Sequence, residues 1–217
     1  MIELGLLEIF TQTQSWTLVF LSVIVTVGTC FGGIWFTHFL SKKSDSKKAK
    51  NAEKLLKVVT QRNERIVKTL KDIVTELDVD RAYIYEFHNG SFYTSGLPME
   101  KFSCTYEVVR EGISAECPHH IEYKMSNYSE YIYKIVHKGV VEIGNVEEYA
   151  EEPLLRNLLT SKGVKSMVNV ALKNPYNQTI GFLGVDFVTH TKSLNKREIN
   201  DLQNFARILL GYVEMEK

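Results

Sequence analysis

Residues 87–96, with the sequence FHNGSFYTSG, bring a histidine, an amide, two glycines and aromatic side chains into one short segment. Asn-Gly is typical of a tight turn because both residues tolerate positive φ, so turn chemistry alone explains Asn89 and Gly90. His88 has no serine or cysteine nucleophile in a recognised motif and no partner at metal-ligand spacing. A structural loop or core role is therefore the simplest interpretation of His88. A ligand-pocket role is the alternative, and a catalytic-base role is disfavoured.

A small ligand pocket at the lip of this turn is the functional hypothesis for the segment. Its candidate residues are His88, Asn89, Tyr93, Phe102 and Asp186. Alternation along residues 179–188 places Asp186 on the same strand face as Phe182 and Gly184, a face that could border a pocket. Solvent exposure is the simpler explanation of Asp186 and of the other strand carboxylates, Glu86 and Glu107. Since no acidic pair is specific enough for acid–base work, we expect no catalytic residue and no enzymatic activity.

The sequence Cys117-Pro-His-His120 contains metal-ligating residue types, but a zinc site needs four ligands at workable spacing. Cys104 is the only other cysteine after residue 80, and no second pair is spaced to match. A structural role is therefore favoured over a metal site, and we expect neither a metal nor a cofactor. A Cys104–Cys117 disulfide would require an oxidising compartment.

Bulk composition excludes several classes of protein. The 217 residues contain 26 Lys+Arg and 26 Asp+Glu, so the net charge is zero and no basic field points to nucleic acid. With 4 Pro, 13 Gly and 44% hydrophobic residues, the chain is expected to fold rather than remain disordered.

Residues 16–40 contain no Asp, Glu, Lys or Arg, and about 20 apolar residues suffice to cross a membrane. The run predicts a transmembrane helix, preceded by a short N-terminal segment over 1–15; a cleaved signal peptide and a buried helix are the alternatives. Gly28, Gly32 and Gly33 follow the small-residue spacing that favours helix association in lipid, although glycine is also common in membrane helices generally.

Positive charge follows the apolar run and does not precede it. The basic residues nearest to its end are Lys42, Lys43, Lys47, Lys48 and Lys50. The positive-inside rule therefore predicts a single-pass membrane protein with its C-terminal domain in the cytoplasm.

Hydrophobic periodicity divides the remainder into a helical linker over 41–79 and a globular domain over 80–217. The linker's apolar stripe from Leu55 to Leu77 either packs on the domain that follows or pairs with a second chain. In the domain we predict strands at 81–87, 102–110, 140–144, 164–172 and 179–188, with helices at 128–138, 152–162 and 196–215. This order favours the α+β class, with a mostly antiparallel sheet packed with helices.

The globular domain resembles GAF and PAS sensory domains. The similarity lies in Tyr83-Ile-Tyr-Glu-Phe87 as a first strand, Ile180-Gly-Phe-Leu-Gly-Val-Asp-Phe187 as a late core strand, and the closing helix. The resemblance implies a membrane-anchored module that binds a small ligand or a partner protein, or that dimerises.

The layout of the whole chain is also similar to the T-even type of phage holin. The local similarities are Ala82-Tyr-Ile-Tyr-Glu-Phe87, Thr179-Ile-Gly-Phe-Leu-Gly184 and Ala206-Arg-Ile-Leu209. This resemblance implies a homo-oligomer that forms lesions in the host inner membrane and times lysis, with a regulatory protein on a periplasmic globular domain. The charge distribution predicts the opposite topology. The holin function is the leading expectation, and the GAF-type module is the alternative.

Overall fold

The structure is a computed structural model that describes residues 2–92, 96 and 98–213. Residues 2–18, 30–31, 34–37, 39–40, 43–47, 90–91 and 98–99 are described by their backbone alone. The chain divides into two compact units, residues 1–59 and residues 60–217. The first helix, α1 (Ile2–Glu76), contributes residues to both units.

Membrane spanning requires about 20 consecutive residues that are predominantly apolar. Among the residues that the structure describes, no helix is both long enough and apolar enough to meet that requirement. In the described part of α1, the hydroxyls of Ser22, Thr26 and Thr29 lie between the apolar side chains and donate to backbone carbonyls. The transmembrane helix predicted over 16–40 is therefore wrong, and so is the predicted inner-membrane localisation.

The three glycines assigned to membrane-helix packing lie in α1. Gly28, Gly32 and Gly33 are exposed, and a Cβ atom built on any of them would have no neighbour within 4 Å. Their predicted role inside a lipid bilayer fails with the transmembrane helix.

The second unit is built around one six-stranded sheet with the order β3-β2-β1-β6-β5-β4, in which every pairing is antiparallel. The strands are β1 (Arg81–Phe92), β2 (Pro98–Val109), β3 (Tyr123–Lys124), β4 (Val140–Ile143), β5 (Ser166–Lys173) and β6 (Thr179–Phe187). The helices that follow α1 are α2 (Ser129–Lys138), α3 (Pro153–Ser161) and α4 (Lys196–Val213), with short 3-10 turns at Cys117–His119 and Met125–Tyr128. The predicted α+β class and antiparallel sheet are confirmed.

One face of the sheet packs against the end of α1 and against α4. Ile66, Leu70 and Ile73 of α1 are fully buried there with Leu202 and Leu209 of α4. The C-terminal half of the stripe predicted from Leu55 to Leu77 therefore packs on its own domain. Pairing of this helix with a second chain stays a prediction.

The other face carries α2 and α3 and an aromatic core. Tyr85 stacks on Phe182 with ring centroids 5.0 Å apart, and Phe102 packs against both rings. Tyr131 of α2 meets Phe182 edge-on, with centroids 5.6 Å apart. Side chains therefore fill the space between the sheet and α2.

The ends of the helices follow the predicted capping chemistry. Gly139 ends α2 with φ +77°, and its amide donates to the carbonyl of Ile135 at 3.1 Å. At the start of α4, the Glu198 amide donates to Asn195 Oδ1, and the Asn195 amide donates to a Glu198 carboxylate oxygen. This reciprocal capping box is the one expected from the sequence.

The first hairpin differs from the prediction. Asn89 pairs with Glu100 and Phe92 pairs with Pro98, so Asn89-Gly90 continues β1 and the chain reverses after Phe92. The register is irregular between Asn89 and Phe92. The Asn-Gly pair thus lies at a strand irregularity rather than at the reversal itself.

Gly184 of β6 lies opposite Tyr83 on one side and Asn169 on the other. A Cβ atom at Gly184 would overlap the Tyr83 ring and the Asn169 side-chain oxygen. Only glycine leaves room for the Tyr83 ring to lie across β6.

We expect Gly184→Ala to lower the free energy of unfolding by about 3 kcal/mol, because the added methyl group overpacks a buried site. Urea unfolding followed by circular dichroism measures the change. The control is Gly211→Ala in α4, where an added Cβ has no neighbour within 4 Å. That control should be neutral or stabilising by up to about 1 kcal/mol. Equal stability of Gly184→Ala and the wild-type protein would contradict the packing argument.

Asp80 connects the start of β1 with the end of β6. Its buried Oδ2 accepts from the amides of Val188 and Thr189 at 2.7 and 2.8 Å and from the Thr189 hydroxyl at 2.9 Å. Burial raises the pKa of this carboxyl, but the hydrogen bonds from Thr189 and Val188 and the charge of Arg110 outweigh burial, so the pKa is lowered.

A lowered pKa in the folded state means that the Asp80 carboxylate stabilises the protein above its unfolded pKa of about 3.9. This stability should be lost as the pH falls through the lower folded pKa. We therefore expect the unfolding free energy of the wild-type protein to fall more steeply below about pH 4 than that of Asp80→Asn. Parallel pH profiles for the two proteins, measured by urea unfolding, would refute the assignment.

Candidate functional site

Four polar side chains form a row that runs from the centre of the sheet to α2. The Tyr83 hydroxyl donates to Asp186 Oδ1 at 2.7 Å and lies 3.0 Å from Asn169 Oδ1. The Asn169 amide nitrogen is 2.6 Å from the Tyr131 hydroxyl. A phenol has one proton, so a half-turn of the Asn169 amide would let its NH2 group donate to Tyr83 and its oxygen accept from Tyr131. In that arrangement both phenols are satisfied.

Asp186 is 0% exposed and faces two cations, which contradicts the solvent-facing interpretation of this strand carboxylate. Its Oδ2 lies 3.8 Å from Arg81 Nη1 and 3.8 Å from Lys162 Nζ, and it accepts no hydrogen bond from the described residues. Strand alternation does place Asp186 on the face of Phe182 and Gly184, as predicted. The carboxylate is enclosed there because α3 ends above it.

Arg81 is 1% exposed and uses its guanidinium to hold two loops. It donates to the carbonyl of Ser114 at 3.0 Å, to the Ser114 hydroxyl at 3.1 Å and to the carbonyl of Lys162 at 3.1 Å. Its charge offsets that of Asp186, and its hydrogen bonds fix the backbone on either side. This cluster therefore joins β1, β6, the loop after β2 and the end of α3.

The phenols of the row remain protonated at neutral pH. Burial raises the pKa of Tyr83 well above its ordinary value, and the Asp186 charge raises it further. Burial also raises the pKa of Tyr131. Neither phenol is suited to act as a base, so the row is a structural element of the domain.

An open cleft lies between the outer ends of β1 and β2 and the α2 helix. It consists of two pockets of about 330 and 400 Å³, which share Glu100, Met125, Ile132 and Val136. The pocket of about 330 Å³ is also lined by Phe87, His88, Asn89 and Thr179. The pocket of about 400 Å³ is also lined by Ser126, Ser129, Tyr133 and His137. The floor is apolar and the rim is polar, the usual composition of a small-molecule site.

Two of the five sequence-predicted pocket residues, His88 and Asn89, line this cleft. His88 Nε2 is 2.8 Å from the hydroxyl of Ser103, and Asn89 is exposed. Phe102 is buried in the aromatic core instead. Asp186 lies seven residues from Thr179 along β6, roughly 23 Å at about 3.3 Å per residue. Tyr93 lies outside the described residues.

The side chains on α2 that form the other wall were not anticipated. Its sequence holds apolar residues on more than one side, with Tyr131 and Ile135 buried and Ile132 and Val136 turned to the cleft. This excess of apolar residues over what one buried face requires is the feature of the sequence that could have predicted a second apolar surface on α2. His137 stacks on Tyr133 at 4.0 Å, and its Nδ1 donates to the Tyr133 carbonyl, which leaves Nε2 as the acceptor of the neutral ring.

The residues Cys117-Pro-His-His120 are built into the 3-10 turn and its surroundings. Glu107 accepts the amides of Glu116 and Cys117 at 2.7 and 2.8 Å, and the amide of Cys104 donates to the His120 carbonyl at 2.9 Å. Both cysteines are free thiols. A hydrogen bond from Cys104 lowers the pKa of the Cys117 thiol. These contacts give the residues of Cys117-Pro-His-His120 a structural role.

The sequence matches no protein-family model and no curated protein. Solved GAF domains share the fold. The PixJ GAF domain of Thermosynechococcus elongatus, in its blue-light-absorbing form, is 15% identical with a TM-score of 0.58, covering 73% of this chain and 88% of that domain. The GAF domain region of a predicted membrane protein from Geobacter sulfurreducens is 17% identical with a TM-score of 0.54, covering 75% and 99%. A phycocyanobilin-bound GAF domain of a cyanobacterial phytochrome is 16% identical with a TM-score of 0.55, covering 73% and 91%.

The fold is therefore GAF-like. The holin resemblance is wrong, because the similar structures are GAF domains and no described helix is suited to span a membrane. Lesion formation and host lysis fall with it. A homo-oligomer and a regulatory protein on the globular domain stay predictions.

We expect Asp186→Asn to lower the free energy of unfolding by about 3 kcal/mol or more, because it leaves the buried Arg81 and Lys162 charges without their carboxylate. Urea unfolding measures the change. Asp201→Asn, a half-exposed carboxylate on α4, is the matched control and should change stability by less than about 0.5 kcal/mol. If the two variants were equally stable, the Asp186 cluster would not hold the domain together.

Proposed function

We propose that the chain is a GAF-type sensory module whose cleft between the β1–β2 end of the sheet and α2 binds a small ligand. The observation that carries the proposal is the cleft itself, in which Met125, Ile132 and Val136 form an apolar floor beneath a polar rim. The GAF-like fold supports the general class. The function is binding rather than catalysis.

The charge of the cleft supports a narrower ligand class. Glu100 lines both pockets, and no lysine or arginine is among their described lining residues. Together with the Nε2 acceptor of His137 and the amide of Asn89, Glu100 favours a ligand with hydrogen-bond donors and a neutral or positive charge. We therefore propose a small, flat, largely apolar molecule that carries an amine or another donor.

Two of the structurally similar proteins are photoreceptor domains with a bound bilin, biliverdin in one and phycocyanobilin in the other. For this chain, the aromatic core of Tyr85, Phe102, Tyr131 and Phe182 fills the interior between the sheet and α2. Bilins also carry carboxylate side chains, which Glu100 would repel. A ligand smaller than a bilin, bound at the surface cleft, fits the described side chains better.

Strand β1 connects the cleft with the core that packs against α1 and α4, so a change at the cleft can reach those helices. β1 carries His88 and Phe87 at the cleft, while Ala82 and Ile84 at its other end contact the core with α1 and α4. We propose that ligand binding changes the packing of the α1 segment after Thr60, and that self-association of the chain is the property it alters.

Tryptamine is a suitable probe because it combines a flat apolar ring with an ammonium group. We expect saturable binding to the full-length protein by isothermal titration, weakened at least roughly tenfold by Val136→Trp, which fills the cleft floor. Leu154→Trp, at an exposed position on α3, is the control and should bind as the wild-type protein does.

Equal tryptamine binding by Val136→Trp and Leu154→Trp would place the ligand elsewhere and contradict the proposed site. Tighter binding of biliverdin than of tryptamine would contradict the proposed ligand class. Thermal unfolding of each variant confirms that the fold is retained.

A further inference from the structure

A second pocket, of about 530 Å³, lies on the α4 side of the domain. Its walls are the last residues of α2, the β5–β6 turn and the middle of α4. The side chains that line it include Lys138, Lys173 and Arg207, and no aspartate or glutamate is among its described lining residues. None of these described residues also lines the cleft assigned to the proposed function.

The three cations of this pocket make no direct ion pair with a described residue. Elsewhere in the same unit, Lys101 pairs with Glu122 at 2.9 Å and Lys192 lies 3.7 Å from Glu198. The chain as a whole has equal numbers of basic and acidic residues. A local excess of three positive charges in a neutral protein attracts an anion, since each unpaired cation repels the other two.

Two negative features lie close to Lys138. The C-terminal end of α2 carries roughly half a negative charge, and its Gly139 carbonyl already accepts from the Ala171 amide at 2.8 Å. Glu142, Glu148 and Glu151 line a separate pocket with Lys138, and the pKa of Glu151 is lowered mainly by Lys134 and further by Lys138. Among the described residues, none of these carboxylates lines the pocket that contains Lys173 and Arg207.

The uncharged residues of the pocket favour an anion that carries an organic group over a free inorganic ion. Ala171, Ala206 and Leu210 provide apolar contact, and the amides of Asn177 and Gln203 provide hydrogen bonds. The β5–β6 turn that forms one wall is ordered by Asn174, whose Oδ1 accepts from the amides of Tyr176 and Gln178 at 3.0 and 2.9 Å. These hydrogen bonds within the turn fix the shape of this wall.

We propose that this pocket binds an organic phosphate monoester. Arg207, with its planar donor fork, holds the phosphate together with Lys173 and Lys138, and the organic group packs on Ala206 and Leu210. Because Lys138 follows His137 in the last turn of α2, the phosphate pocket and the proposed ligand cleft lie on the same helix end. The domain thus has two sites of opposite charge preference.

Phenyl phosphate is the probe, with inorganic phosphate and phenol for comparison, titrated calorimetrically into the full-length protein at low ionic strength. We expect phenyl phosphate to bind more tightly than either comparison compound, and its affinity to fall with added salt. Arg207→Gln should weaken binding roughly tenfold, equivalent to about 1.4 kcal/mol. Arg197→Gln, the same change at an exposed position of α4, should leave binding unchanged.

Three results would overturn the proposal: no saturable binding of phenyl phosphate, equal binding by Arg207→Gln and Arg197→Gln, or equal affinity for inorganic and phenyl phosphate. Tryptamine binding is measured in the same samples. Loss of the phosphate site with retention of tryptamine binding would separate failure here from failure of the proposed function.

Discussion

The buried Asp186 carboxylate is the constraint on which much of the second unit depends. A charge removed from water must be offset, and Arg81 and Lys162 provide the offset, each with a nitrogen 3.8 Å from Asp186 Oδ2. Arg81 in turn holds the loop after β2 and the end of α3 through three hydrogen bonds to Ser114 and Lys162. Parts of the chain that are distant in sequence are thereby fixed around one carboxylate, and the missing side chain at Gly184 gives Tyr83 access to it.

The same central strands separate two different interiors. Alternation along β1 sends Arg81, Tyr83 and Tyr85 to the face covered by α2 and α3, and Ala82 and Ile84 to the face covered by α1 and α4. The first interior is aromatic and polar, and the second is almost wholly aliphatic. Apolar contacts are non-directional, whereas the hydrogen bonds of the first interior also fix the orientation of its side chains. The ligand cleft lies at the edge of the more constrained interior.

The C-terminal turn of α2 lines both proposed sites, which differ in electrostatic character. On one side Glu100 and His137 rim an apolar floor whose described residues include no lysine or arginine, and on the other Lys138 joins Lys173 and Arg207. Under the two proposals, one helix contacts ligands of opposite charge. Since α2 also buries Tyr131 and Ile135 in the aromatic core, a displacement of its last turn would be felt at the centre of the sheet.

The sequence by itself determined the features that depend on near neighbours in the chain: the antiparallel α+β class, most strand positions, the glycine end of α2 and the Asn195–Glu198 cap. It also placed Asp186 on the correct strand face and His88 and Asn89 beside a pocket. It misjudged the burial of Asp186, the point of reversal in the first hairpin and the apolar run over 16–40. Only the tertiary structure decided that Arg81, Lys162 and Asn169 contact Asp186 or Tyr83. It also decided that α2 forms one wall of the cleft. Those contacts join residues up to 105 positions apart, between Arg81 and Asp186, and neither strand alternation nor helix periodicity carries information over such separations.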